Sequence, residues 1–172
     1  MPQETIVISD ANILFDILDS GLMGSFCELP FEKWTSDFVL QEINKPEQKS
    51  AIINAIRNKQ LKEKSFTFEE ITALTELKEK NTHLSITDCS VWQMARTMRA
   101  RLLSGDKKLR IVAEADGVKV SGILFVFDKL IEYGIIDSTL AIEKLKYLLS
   151  SNPRLPREEC DERLRLWNAL IQ

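Results

Sequence analysis

The run Thr5-Ile6-Val7-Ile8-Ser9-Asp10-Ala11-Asn12-Ile13-Leu14 decides how the rest of this chain is read. Its first half is β-branched and apolar, the composition of a buried strand, and it ends on an acid. Its second half begins a helix over residues 11–18, with Ile13, Leu14, Ile17 and Leu18 at helical spacing. A buried strand passing directly into a helix, with Asp10 at the junction, is the opening of an α/β unit.

The same alternation continues outward. Residues 21–30 are broken by Gly21, Gly24 and Pro30, and residues 33–35 read as a short strand. Ser36 is an N-cap for a helix to Lys45, which Pro46 stops or kinks. A helix follows over residues 47–59, then an edge-like strand over 62–66. Thr67 with Glu70, and Ser85 with Asp88, have capping-box spacing at the heads of two further helices. The second carries Val91, Ala95, Met98 and Leu102 at a period near 3.6 and leads into a strand over 102–104. Residues 107–116 read as a helix closed by Gly117, 118–120 as a strand, and 122–133 as a helix closed by Gly134. Helices over 138–149 and 157–171 flank the loop SSNPRLP at 150–156, and the last presents Leu164, Trp167 and Leu170 as a stripe. The pattern predicts a three-layer α/β/α fold with a short central parallel sheet and right-handed crossovers. It is expected to divide into a domain over residues 1–135 and a C-terminal helical extension over 136–172, packed on that domain or on a partner.

Composition limits the function classes. With 172 residues, 44% hydrophobic and 28% charged, the chain is long enough to bury a core without disulfides or a structural metal. Its net charge of −3 marks neither a nucleic-acid coat nor a membrane-surface protein. Cys27, Cys89 and Cys160 are odd in number and widely separated, which fits a reducing cytoplasm rather than a disulfide framework or zinc knuckle. Residues 1–10 lack a basic leader, and the longest apolar stretch, 123–127, is far too short to span a membrane. His83 is the single histidine and reads as an ordinary surface or half-buried residue, so paired-imidazole chemistry is excluded.

Acids remain. In an open parallel sheet, ligands bind beyond the carboxyl ends of the strands. Asp10 ends the first strand, Asp106 follows the strand at 102–104, Asp88 sits in the first turn of the helix before it, and Glu42 lies on the helix after 33–35. Four carboxylates brought together repel one another unless a cation joins them. An all-oxygen set with no Cys or His favours Mg2+ or Mn2+ over Zn2+. Such ions activate water and stabilise the leaving oxygen in phosphodiester cleavage, a route that needs no histidine.

Four segments carry a resemblance: IVISDANIL (6–14), TSDFVLQE (35–42), LSITDCS (84–90) and LLSGDKKL (102–109). In this order they resemble the acidic motifs of PIN-domain nucleases, including the VapC-type toxins, over about residues 5–125. The resemblance implies a PIN fold and a Mg2+- or Mn2+-dependent endoribonuclease, with Asp10, Glu42, Asp88 and Asp106 as the metal-binding acids and Asn12 as a polar neighbour. It also implies a type II toxin–antitoxin setting, with an antitoxin as a separate partner chain.

Simpler roles are open for each acid. Asp10 and Asp106 are good N-caps, Asp88 is the capping partner of Ser85, and Glu42 can be a solvated helix residue. Asp37 reads as a first-turn acid, while Asp16 and Asp128 read as surface charges. Residues 96–110 carry net +5, and Arg96, Arg99, Lys107 and Lys108 are candidate phosphate contacts for an RNA substrate. Trp34 and Trp92 are candidate base-stacking platforms, with Trp92, beside Val91 and Ala95, favoured as core. A second functional reading is a catalytically silent PIN-like module that binds nucleic acid or protein and pairs through the C-terminal stripe, as in a homodimer. Aspartyl-phosphate chemistry lacks the second acid two residues beyond Asp10, and no P-loop is present.

Overall fold

The computed structural model describes residues 5–172. Five strands, β1 (Ile6–Ser9), β2 (Glu32–Ser36), β3 (Lys62–Lys64), β4 (Arg101–Leu103) and β5 (Val120–Ser121), form one parallel sheet in the order β3-β2-β1-β4-β5. In register, Ile8 lies beside Trp34 and Leu102, and Ser9 beside Leu103. The chain builds outward from β1 to β3 and then returns to place β4 and β5 on the other side. The crevice where that order reverses lies between the carboxyl ends of β1 and β4, the place where open α/β sheets bind ligands.

The helices in chain order are α1 (Ala11–Asp19), α2 (Met23–Glu28), α3 (Asp37–Glu42), α4 (Pro46–Arg57), α5 (Phe68–Lys80), α6 (Ile86–Met98), α7 (Lys107–Ala115), α8 (Ile123–Glu132), α9 (Ser138–Ser151) and α10 (Arg157–Ile171). Side chains alternate across the sheet, so neighbouring strand residues enter different layers. Ile8 and Leu102 join Val39, Leu74, Trp92 and Leu109 in one core, while Val7 and Leu103 join Ile13, Phe26, Phe127 and Leu145 in the other. This is the expected α/β/α sandwich. Both capping boxes form, with Thr67 and Ser85 each exchanging hydrogen bonds with the acid three residues on. Gly117 and Gly134 end α7 and α8 at φ values of 84° and 68°, which side chains rarely adopt.

Several local expectations are corrected. Residues 21–30 hold α2, because Phe26 is drawn into the core despite the flanking glycines. The helix after Ser36 ends at Glu42 rather than Lys45, with Ile43 in extended backbone and buried. Pro46 therefore opens α4 instead of closing α3; its missing N–H costs nothing at a first helical position. The last strand sits at Val120–Ser121, two residues later than its apolar signal begins.

Residues 136–172 have no separate core. Ile136, Ala141, Leu145, Leu148, Cys160 and Trp167 share the layer of Val7, Phe127 and Leu103. The stripe predicted on α10 is split: Trp167 is buried with its ring centroid 5.7 Å from that of Phe127, whereas Leu170 is 69% exposed. No helix among the described residues is long and apolar enough to cross a membrane.

Candidate functional site

The carboxyl edge of the sheet is built around Asp10. As the residue after β1 it has extended backbone, caps α1 through the Ala11 N–H at 2.8 Å, and is 4% exposed. Its other oxygen accepts Ser104 Oγ at 2.8 Å and Asn12 Nδ2 at 3.3 Å. No cation faces it among the described residues. Burial pushes its carboxyl up to about 7, the hydrogen bonds from Ser104 and Ala11 oppose that rise, and the charges of Asp88 and Glu42 add to it. The structure thus brings Asp88 and Glu42, which lie far from Asp10 in sequence, close enough for their charges to act on it.

Asp106 joins through Ser104. The Ser104 hydroxyl donates to Asp10 and accepts the Asp106 N–H at 3.2 Å. Asn12 ties the same two loops, because its Oδ1 accepts the Gly105 N–H at 3.0 Å. Asp106 Oδ1 caps α7 by accepting the Lys108 and Leu109 N–H groups at 2.8 and 3.3 Å. Asp88 Oδ2 accepts the Ser85 N–H at 2.9 Å in its capping box. The capping roles are therefore real, and they leave the second oxygen of each of these acids without a backbone partner.

The expectation of four acids crowded into one cavity needs correction. Among the described residues, no three Asp, Glu, His or Cys side chains stand close enough together to hold a metal ion. The acids share one edge without closing on a point. Like charges with no cation between them separate, and Asp88 and Asp106 take the nearest helix-end N–H groups instead. The donor chemistry nevertheless suits a hard divalent ion. It consists of carboxylate, amide and hydroxyl oxygens with no thiolate or imidazole. Two buried oxygens on this edge, Ser9 Oγ and Asp37 Oδ1, also have no hydrogen-bond partner.

Of the basic candidates, the structure brings only Lys107 and Lys108 to this edge, exposed in the first turn of α7. Helix α6 runs away from the acids, so Arg96 and Arg99 lie at its far end, roughly 12 and 16 Å along the axis from Asp88 at 1.5 Å per residue. Arg96 pairs there with Asp116 at 3.1 Å and with Gln93. Trp92 is buried, with Nε1 donating to the same Asp116 at 2.9 Å. Trp34 donates to Glu32 and lies under Lys62.

Asp16 is a further correction. It is 8% exposed, with its carboxyl pushed up to about 6 by burial, and it accepts Asn152 Nδ2 at 3.0 Å. The signal was present: α1 also buries Ala11, Ile13, Leu14 and Ile17, so a polar residue among them has little water to face. Asp128, by contrast, is partly exposed and paired with Arg163 at 3.0 Å. Ser104, within the LLSGDKKL motif, is a site residue that the acidic pattern alone does not mark. A hydroxyl two residues before an acid at a strand end is the signal for the bridge it makes.

A family model described as a PIN domain matches residues 6–169, which takes in the sheet, all four acidic segments and most of α10. No curated protein matches the chain.

Proposed function

The chain belongs to the PIN-domain family, a nuclease-type fold, and from that premise we propose that it is a Mg2+- or Mn2+-dependent endoribonuclease. The observation that carries this reading is Asp10: a buried carboxylate at the sheet's switch point, beside Asp88 and Glu42, with no cationic partner of its own. Structural carboxylates at such depth are ordinarily paired.

Asp10 would anchor the ion, with Asp88, Glu42 and Asp106 drawn in from the same edge once it offsets their repulsion, and the ion would supply a polarised phosphoryl oxygen and a water of lowered pKa. The chain's own residues set the stage. Ser104 and Asn12 fix the orientation of Asp10 and lock the loop after β4 to the start of α1. Burial holds Asp10 at about 7 in the metal-free chain, so cation binding, which needs the anion, should strengthen as pH rises toward that value. Lys107 and Lys108 offer charge to the phosphate backbone on the same edge. The motif resemblance extends the proposal to a toxin of a type II pair, with an antitoxin chain that covers this edge.

The test is cleavage of RNA with Mn2+ or Mg2+ by the intact chain and by Asp10→Asn and Asp88→Asn. Each substitution should lower kcat at least 100-fold, in line with the loss of a positioned catalytic group. Cleavage undiminished in both variants would refute the assignment.

A further inference from the structure

A groove of about 480 Å3 opens directly beside the acids. One end is lined by Asn12 and Glu42, which also belong to the site. Its walls are α1, the α3–α4 connector with Lys45, and the turn after α9 with Asn152 and Arg154. Its volume lies within the ~300–1,000 Å3 typical of ligand sites.

The groove's two cations are exposed, and among the described residues neither Lys45 nor Arg154 has an ion-pair partner. They stand on different walls, one on the connector and one on the turn. Its carboxylates differ. Asp16 and Asp19 already accept Asn152 Nδ2 and Gln48 Nε2, and Glu42 lies at the end shared with the site. The backbone that carries Arg154 is fixed: its main-chain N–H donates to Asn152 Oδ1 at 3.0 Å, and Asn152 is anchored on buried Asp16. The C-terminal turn is thereby fixed against α1, at the rim of the site. The amide side chains of Asn44 and Gln48 supply groups of the kind that contact base edges and sugars, while that of Asn12 is committed to Asp10 and Gly105.

We propose that this groove seats the single-stranded RNA flanking the scissile phosphate, with Lys45 and Arg154 as its phosphate contacts; this rests on the nuclease reading above. Asn12 and Glu42 line the groove and belong to the site, so a strand whose phosphate meets the acids can continue into it. With three carboxylates against two cations in the groove, the seat is attractive to a polyanion mainly when a divalent ion offsets the acids, so binding is stronger in Mg2+.

The experiment measures anisotropy of a labelled ten-nucleotide single-stranded RNA on the intact chain in Ca2+, a hard cation that takes the same oxygen ligands, with cleavage kinetics in Mg2+. Lys45→Ala with Arg154→Ala should raise Kd roughly tenfold and reduce the slope of log K against log salt by about 1.4, the single-strand value for two phosphates. In cleavage, KM should rise by a similar factor with kcat little changed. Arg99→Gln, at the opposite edge, should leave all three readouts unmoved. The melting temperature of the double variant should match the parent, because both side chains are exposed. Unchanged KM and Kd in the double variant, alongside normal cleavage by the intact chain, would overturn the groove alone. An equal loss in Arg99→Gln would also overturn it, as diffuse charge. An intact chain that neither binds nor cuts RNA would remove the nuclease reading and the groove together.

Discussion

Asp10 and Asp16 both hold their protons more tightly than a free aspartate, and burial is the first cause in each. For Asp16 the sign is set by a native value near 6 against an ordinary 3.8. Below about pH 4 the group is neutral in both states and costs nothing. As pH rises from 4 to 6 the unfolded chain ionises first, so native stability falls, and above 6 the loss is complete at about 2–3 kcal/mol. Asp16→Asn still accepts the Asn152 amide. It should flatten this decline and be the more stable protein at pH 7, as denaturant titrations at pH 4, 5, 6 and 7 will show. A variant weaker than the parent at pH 7 counts against the burial argument. Asp106 tests a different effect. Asp106→Asn keeps an oxygen for the Lys108 and Leu109 N–H groups and should be near neutral in metal-free buffer, whereas Asp106→Ala uncaps α7 and should cost about 1 kcal/mol.

Among the elements, α10 shows how a helix with a weak apolar stripe is held. Trp167 reaches across to Phe127, and Cys160 is fully buried two turns earlier on the same face. Trp167→Ala should therefore lower stability by about 3–5 kcal/mol, a large-to-small change inside a packed core. Leu170→Ala, on an exposed turn, should stay within about 0.5 kcal/mol. Urea midpoints of the two variants give the comparison, and equal losses would mean that the stripe lies on a surface this fold leaves open. Helix α6 makes the complementary point. Its direction places Asp88 at the site and Arg96 at the opposite edge, so one amphipathic helix serves the acids with one end and the Trp92–Asp116–Arg96 tie with the other.

At the scale of the molecule, the acids set a linkage between cation binding and folding. Mn2+ or Mg2+ at 100 times its Kd should add about 2.7 kcal/mol to the native state. For a chain of this size that is a rise in melting temperature of roughly 5–10 °C. Asp10→Asn should abolish most of the rise while melting higher than the parent in metal-free buffer, because it removes a buried charge with no cationic partner. Thermal scans with and without the cation, on both proteins, separate these effects. A parent indifferent to both ions would contradict the site.

The order of strands and helices, the two capping boxes and the four acidic segments were legible in the sequence, because each is written in a local pattern of β-branched runs, 3.6-residue spacing and cap residues. The C-terminal turn of α3 and the helix inside residues 21–30 are not written in local pattern, and Pro46 opens a helix rather than stopping one. There, burial of Ile43 and Phe26 outweighed local turn and propensity signals. Which acids feel one another, that Asp16 is buried, and that Arg96 and Arg99 face away were decided by tertiary structure alone. Those facts depend on the direction in which each helix crosses the sheet and on contacts as distant as Asp16 with Asn152, and a one-dimensional pattern does not encode either.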